Sequence, residues 1–251
     1  MPLLSNDGLL ASSYVLQDSS LGTIKVPLIT FNELQLTKSN GRMIDLYTWN
    51  TPNGRKVSIL LEELGLDYTA HSVNIGAGDQ NTTEFLKISP NNKIPVIFDH
   101  DTGMSLMESG AIMVYLAEKH NQFLPTNKTG RAAVMEWLMW QMGGLGPMLG
   151  QAHHFLHFNP GKSDYAENRF RNEVARLYGV LEKRLDDRNY ICDDYSIADI
   201  ACWPWISRYE WQRVNLAEYP NVRSWYKRLL TRDAVQKGYH VPKRMNEIPT
   251  G

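Results

Sequence analysis

The sequence predicts a two-part fold: an α/β first half, ordered βαβ then ββα around a mixed four-stranded sheet, followed by an all-α second half. Three observations carry the prediction. Apolar positions alternate with period two over 44–48 and 69–75 and close up into a short run at 94–98. Between the first two strands, Val57, Leu60, Leu61 and Leu64 fall at i, i+3, i+4 and i+7, the stripe of a helix with one buried face. Beyond residue 131 the periodicity is helical and no strand signal returns.

Taken in order, Ile44, Leu46 and Thr48 alternate with Asp45, Tyr47 and Trp49 to give the first strand, which ends at the turn residues 50–54. The helix after it runs to Gly65, a residue suited to the left-handed position past a helix end. Thr69, His71, Val73 and Ile75 form the second strand, and a right-handed crossover makes it parallel to the first. A short helix over 84–88 leads into turn chemistry at Ser89-Pro90-Asn91-Asn92-Lys93 and a third strand, Ile94-Pro95-Val96-Ile97-Phe98. Asp99-His100-Asp101-Thr102-Gly103 then turns the chain into Met104-Ser105-Leu106, an antiparallel fourth strand. Glu108-Ser109 opens a helix carrying Ile112, Tyr115, Leu116 and Lys119, and Ser109 has the chemistry of its N-cap. Residues 122–130, with Pro125 and Gly130, read as a linker. The expected organisation is therefore an N-terminal arm over 1–42, an α/β domain over 43–121, and a helical domain with a tail over 131–251. Its helices are expected at 132–142, 165–184, 196–209 and 222–230.

The chain has 251 residues, 43% hydrophobic and 21% charged, enough for a sizeable core. A net charge of −1 without any basic run provides no footprint for nucleic acid or an anionic membrane, so the expected partners are small molecules or other proteins. No run of about 18 apolar residues occurs, and a soluble protein is expected. The arm has Lys25 and Lys38 but no arginine before Arg42, and reads as neither a transit nor a secretory peptide. The two cysteines, Cys192 and Cys202, form no Cys-x-x-Cys and stand far from any completing histidine pair, which fits a reducing, cytoplasmic location.

Chemistry is expected first at Thr51-Pro52-Asn53-Gly54, where a strand hands over to a helix. Proline fixes φ there, Gly54 tolerates unusual dihedrals, and the Asn53 amide offers two donors beside the free N–H groups of the helix start, a place that stabilises an anion. Taken alone, the same four residues also read as a plain helix-capping turn. His153 and His157 stand at i, i+4, a zinc-compatible spacing that lacks the rest of a metal motif; His154 joins them as a candidate lining of an acceptor site near the domain cleft. Ser196-Ile197-Ala198-Asp199 has capping-box spacing and reads as a folding element. Trp137, Trp140, Trp203, Trp205 and Tyr209 recur at spacings suited to core packing, with some free to face an acceptor pocket.

Four motifs in order resemble the nu class of the cytosolic glutathione transferase superfamily, which includes the relatives of the fungal nitrogen regulator. They are Thr51-Pro52-Asn53-Gly54, the stretch from Ser89 through Ile94-Pro95, Gly143-Gly144-Leu145-Gly146-Pro147-Met148, and Ser196-Ile197-Ala198-Asp199-Ile200-Ala201-Cys202-Trp203-Pro204-Trp205. The resemblance spans residues 43–230 and implies a thioredoxin-like first half, glutathione as co-substrate, no metal, and a homodimer. It implies that Ser109 and the helix it opens bind the γ-glutamyl α-carboxylate, that Glu108 meets the ammonium, and that a cis Ile94-Pro95 bond turns the Ile94 backbone toward the cysteinyl part. Gln80 matches a position that touches the glycyl end, where Lys93 is expected to add a positive charge, and Arg169 matches an arginine that reaches the ligand across the dimer interface. A catalytic tyrosine, serine or cysteine near the first strand is missing, so Thr51 and Asn53 are the expected thiol-activating groups and the reacting sulfurs must be those of glutathione. The implied activity is glutathione-dependent disulfide-bond oxidoreduction on a small disulfide, with peroxidase and weak transferase activity on a peroxide or electrophile. A conjugating or dehalogenating transferase and a non-catalytic glutathione-binding regulator are the alternatives. The arm's few Asn and Gln (Asn6, Gln17, Asn32, Gln35, Asn40) speak against the regulator.

Overall fold

The computed structural model describes residues 43–251; the expected N-terminal arm lies outside the described residues. Strand β1 (Ile44–Thr48) buries Ile44, Leu46 and Thr48 and leaves Asp45 and Tyr47 half-buried, the alternation expected of it. Strand β2 (Tyr68–Ser72) pairs parallel to it, with Ile44 opposite Tyr68 and Thr48 opposite Ser72. Strand β3 (Val96–Asp99) runs antiparallel to β1, and β4 (Met104–Met107) antiparallel to β3, giving the mixed sheet β2-β1-β3-β4. The alternation past Ser72 outlives the strand. Val73 packs into a small core with Phe85, Ile88 and Val96, while Ile75 is exposed.

Helix α1 (Pro52–Glu63) starts with Thr51 as N-cap and Pro52 in its first turn, and ends at Leu64, after which Gly65 takes φ +64°. Its apolar stripe is the expected one, yet every residue from Gly54 to Leu61 is buried. Helices of the second half cover the face that a one-stripe reading leaves to solvent, and so bury Arg55 and Lys56 as well. A short α2 (Thr83–Ile88) is capped by Thr82. Helix α3 (Ser109–His120) has Glu108, not Ser109, as its N-cap. Ser109 is thus the first helical residue, and its hydroxyl is free of capping duty.

The connection to the second half is shorter than the linker expected over 122–130. Helix α4 (Lys128–Trp140) begins inside it, because the Asn127 side chain accepts from the Gly130 N–H at 2.8 Å and caps the helix. From α4 the backbone passes through a π-helical stretch, Gln141–Leu145, into α5 (Gly146–Ala152) and a second π-helical stretch, His153–Phe158. Then follow α6 (Asp164–Arg184), α7 (Ile197–Ile206), α8 (Pro220–Leu230) and α9 (Asp233–Tyr239). Helix α7 is buried throughout and opens on the expected capping box, Ser196 with Asp199; it stops three residues short of the expected end at 209.

Two elements were not expected: α5 with its π-helical flanks, and α9. Gly143, Gly144, Gly146 and Pro147 all argue against a helix, yet the chain stays helical: Pro147, which has no N–H to donate, follows directly on the π-helical stretch Gln141–Leu145, and packing overrides the glycine propensities. Helix α9 is only seven residues long and is ordered by lying across α1, where a Cβ on Gly238 would stand 2.6 Å from the backbone of Ile59. One hydrophobic core runs from Ile44 and Leu46 through α1, α3 and α7 to Trp225 and Tyr239, so the sheet and the helices share their interior.

Candidate active site

The turn between β1 and α1 is built tightly. Thr51 Oγ1 accepts from the Gly54 N–H at 3.2 Å, and a Cβ on Gly54 would fall 2.3 Å from the Trp49 carbonyl, so glycine is required. Asn53 lies in the exposed start of the first turn, half-buried. Its Oδ1 accepts from the Trp205 indole N–H at 3.3 Å, which orients the amide and leaves its two N–H groups without a partner among the described residues.

Three adjoining chambers meet at this side chain. One of about 130 Å³ is lined by Asn53, Lys93, Ile94, Pro95, Glu108 and Ser109. A second of about 280 Å³ has Thr51, Asn53, Ile75, Gln80, Lys93 and Ile94. The third, also about 280 Å³, lies between the sheet half and the helices, with Asn53, Lys56, Glu108, Gln141, Met142 and Trp205. Together they match the few hundred Å³ of small-molecule sites. The structure thus gathers Thr51, Asn53, Gln80, Lys93, Ile94, Pro95, Glu108 and Ser109 around one cleft. Arg169 is not brought there; it is exposed on α6, away from the chambers of its own chain.

The polar groups of the cleft suit an extended ligand with charged ends. The Ile94–Pro95 bond is cis. Glu108 is exposed at φ +70° and ψ 111°, a sparsely populated conformation for a non-glycine residue, of the kind that concentrates at binding sites. Gln80 Oε1 is buried with no hydrogen-bond partner among the described residues, an acceptor waiting for a donor. Lys93 is exposed at the rim shared by two chambers.

No protein thiol enters these chambers. Cys202 is fully buried, which pushes its pKa far up, and burial pushes Cys192 up to about 11. The histidine cluster does not line the cleft either. His153 is buried, stacked on Trp205 at 5.7 Å between centroids and 3.0 Å from Gln212 Nε2; burial, with the Arg208 charge, pushes its pKa down to about 3 and keeps it neutral. His157 stacks on Trp211 at 4.3 Å, and His154 is exposed. The i, i+4 pair closes on Trp211 rather than on a metal, and no group of three or more His, Cys, Asp or Glu among the described residues could hold one. His153 instead backs the indole that orients Asn53.

Sequence reasoning missed four residues of the third chamber. Trp205 stands among the aromatics expected to pack in the core, some of them free to face an acceptor pocket, and Lys56, Gln141 and Met142 are not among the expected site residues. Lys56 stands three residues after Asn53, on the same face of α1, a spacing that could have pointed to it.

A mixed four-stranded sheet joined to a helical partner, with a donor-rich and cysteine-free cleft at the start of α1, defines a glutathione-transferase-like protein. Residues 46–125 match the glutathione S-transferase N-terminal domain and residues 164–228 the glutathione S-transferase C-terminal domain, and the chain belongs to this family. Over 198 residues it is 53% identical to the disulfide-bond oxidoreductase YfcG of Escherichia coli K12, covering 76% of this chain and 92% of that one. Among solved structures, a Burkholderia graminis glutathione transferase with two glutathione molecules bound per subunit is 42% identical at a TM-score of 0.77, covering 82% of this chain and 90% of that one. A Pseudomonas putida glutathione transferase with one glutathione disulfide bound per subunit is 43% identical at a TM-score of 0.76, covering 82% and 94%.

Proposed function

We propose that the protein is a glutathione-dependent disulfide-bond oxidoreductase whose reacting sulfurs are those of bound glutathione. The observation that carries this reading is the oriented Asn53 amide, its N–H groups unused by the described residues, facing a cleft that contains no cysteine. In this reading the Asn53 N–H groups and the Thr51 hydroxyl, which caps Gly54 as an acceptor and so keeps its proton to donate, stabilise the glutathione thiolate. Ser109 and the N-terminus of α3 take the γ-glutamyl carboxylate, Glu108 the ammonium, Ile94 and Pro95 the cysteinyl segment, and Gln80 with Lys93 the glycyl end.

The exchange balances in two displacements. One glutathione thiolate attacks a sulfur of the substrate disulfide; that S–S bond breaks, one half leaves as a thiolate that takes a proton, and a mixed disulfide remains. A second glutathione thiolate attacks the glutathione sulfur of the mixed disulfide, expelling the other half and forming glutathione disulfide. The relatives that bind two glutathione molecules or one glutathione disulfide hold the reduced and oxidised forms of such a pair, which supports the scheme. The same thiolate would attack a peroxide or an electrophile. An exposed Arg169 on α6 fits a homodimer in which it serves the neighbouring subunit.

The test is reduction of a small symmetric disulfide by glutathione, run beside conjugation of an aryl halide, with the parent, Asn53→Ala and Thr51→Ala. Disulfide reduction exceeding conjugation, and lost on Asn53→Ala, supports the reading. Glutathione binding without either turnover would leave a binding protein, and dominant conjugation would leave a transferase.

A further inference from the structure

We propose that Lys56 is a positioning residue: from beneath the cleft it fixes the Ser109 hydroxyl as a donor toward the ligand's carboxylate, and Gln141 fixes Lys56 in turn. The inference rests on the glutathione reading above and assigns the buried charge that the reading leaves unused.

The Lys56 side chain is 1% exposed. Its Nζ stands 3.3 Å from Ser109 Oγ, 2.5 Å from Gln141 Oε1 and 3.3 Å from Met142 Sδ. An ammonium has three donors and no acceptor, so these partners use it fully. None of them is charged, and among the described residues Lys56 is in no ion pair; an enclosed cation without an anion is a costly arrangement, relieved when an anion arrives. Ser109 Oγ accepts from Nζ, so its own proton must point elsewhere. Among the described residues its only acceptor is the weak Met142 Sδ, at 3.7 Å. A carboxylate entering the chamber that Ser109 lines is a far better acceptor, and the oriented hydroxyl and the ammonium behind it then act in series.

The surrounding fold is shaped to hold this cluster. The π-helical stretch Gln141–Leu145 turns both Gln141 and Met142 toward α1. A Cβ on Gly146 would lie 2.6 Å from Gln141 Nε2, and one on Gly110 would lie 3.0 Å from Met142 Cγ. The glycine at 146, part of a motif that no ligand contact explains, is thereby accounted for as room for Gln141. Burial pushes the Lys56 pKa down to about 7; the charged or titratable groups facing it are Glu108 at the start of α3 and the buried Cys202 thiol of α7, and both favour its protonated form. A carboxylate bound at Ser109 would add to them.

The test is calorimetric binding, by the full chain, of glutathione and of γ-aminobutyryl-cysteinyl-glycine, the same tripeptide without the γ-glutamyl α-carboxylate. Lys56→Met keeps the length and removes the charge. It is expected to weaken glutathione about tenfold or more, the scale of a hydrogen bond to a charged group, and to change binding of the decarboxylated tripeptide less than about twofold. Gly146→Ala, which displaces Gln141 without touching Lys56, is expected to show the same selectivity and covers the case in which Lys56→Met does not fold. Equal losses on both ligands, or no loss on either, overturn the inference while leaving the glutathione reading intact. Failure of the parent chain to bind glutathione overturns that reading, and this inference with it.

Discussion

The contact between Trp205 and Asn53 joins the helical half to the proposed thiol site, and its removal has a calculable effect. Trp205→Phe keeps an aromatic ring against His153 but deletes the indole N–H that donates to Asn53 Oδ1 at 3.3 Å. A neutral hydrogen bond of this kind contributes about 0.5–1.5 kcal/mol, so the loss of amide orientation is expected to lower kcat/KM for disulfide reduction about 2- to 13-fold. Asn53→Ala removes the donor itself. A hydrogen bond to a charged group is worth about 1.5–3 kcal/mol, which raises the pKa of the bound thiol by about 1–2 units and shifts the alkaline rise of the pH–rate profile by the same amount. The indole acts through the amide, so the double variant should resemble Asn53→Ala alone. The assay is the pH profile of glutathione-dependent disulfide reduction for the four proteins. Costs that simply add, or a Trp205→Phe loss as large as that of Asn53→Ala, would refute the coupling.

Three further outcomes follow from the packing and the buried charges. Gly238→Ala, with its Cβ 2.6 Å from the Ile59 backbone, should destabilise the fold by about 1–3 kcal/mol or more, read as a lowered denaturation midpoint, because neither α1 nor α9 has a flexible atom there to yield. His153 is held neutral, its pKa pushed from 6.5 to about 3, so the unfolded chain binds a proton that the folded one refuses; its contribution to stability is present above about pH 6.5 and lost as pH falls toward 3. His153→Phe should remove that slope, measured as the difference from the parent across acid pH. Asp199 has the opposite sign. Burial outweighs its bonds from Ile191, Trp225 and Ser196 and pushes its pKa from 3.8 to about 6, so the folded state holds the extra proton and stability contributed by this group falls as pH rises from about 4 to 6. Asp199→Asn should flatten that fall at a lower overall stability, since its amide N–H₂ faces donors.

How far the sequence reveals such a molecule depends on where each signal is stored. The strands of the sheet, α1, α3 and the capping box at Ser196 are written locally, in periodicity and in turn residues, and all of them form, although β2 stops at Ser72 instead of running to 75 and β3 starts at Val96, two residues after the expected Ile94. The helix starts at Ser109 and Lys128 are shifted by one and four residues, because a cap is decided by which side chain reaches an N–H, and several neighbours have the right chemistry. Helix α5 was illegible for the converse reason. Its glycines are breakers by propensity, but Gly146 is there to admit Gln141, a tertiary cause that no local window contains.

The site divides the same way. Thr51, Asn53, Ile94, Pro95, Glu108 and Ser109 sit at element junctions, and junction chemistry can be read from short motifs. Lys56, Gln141, Met142 and Trp205 sit inside helices, where a polar residue reads as solvated and an aromatic one as core. The third chamber exists because α1 is roofed by helices from the other half, and a charge that looks exposed on an isolated α1 is sealed between them. In the proposed reading the turn at Thr51 supplies donors to the sulfur. The interior lysine contacts the Ser109 hydroxyl and the indole contacts the Asn53 amide, each from a position that only the assembled fold brings near.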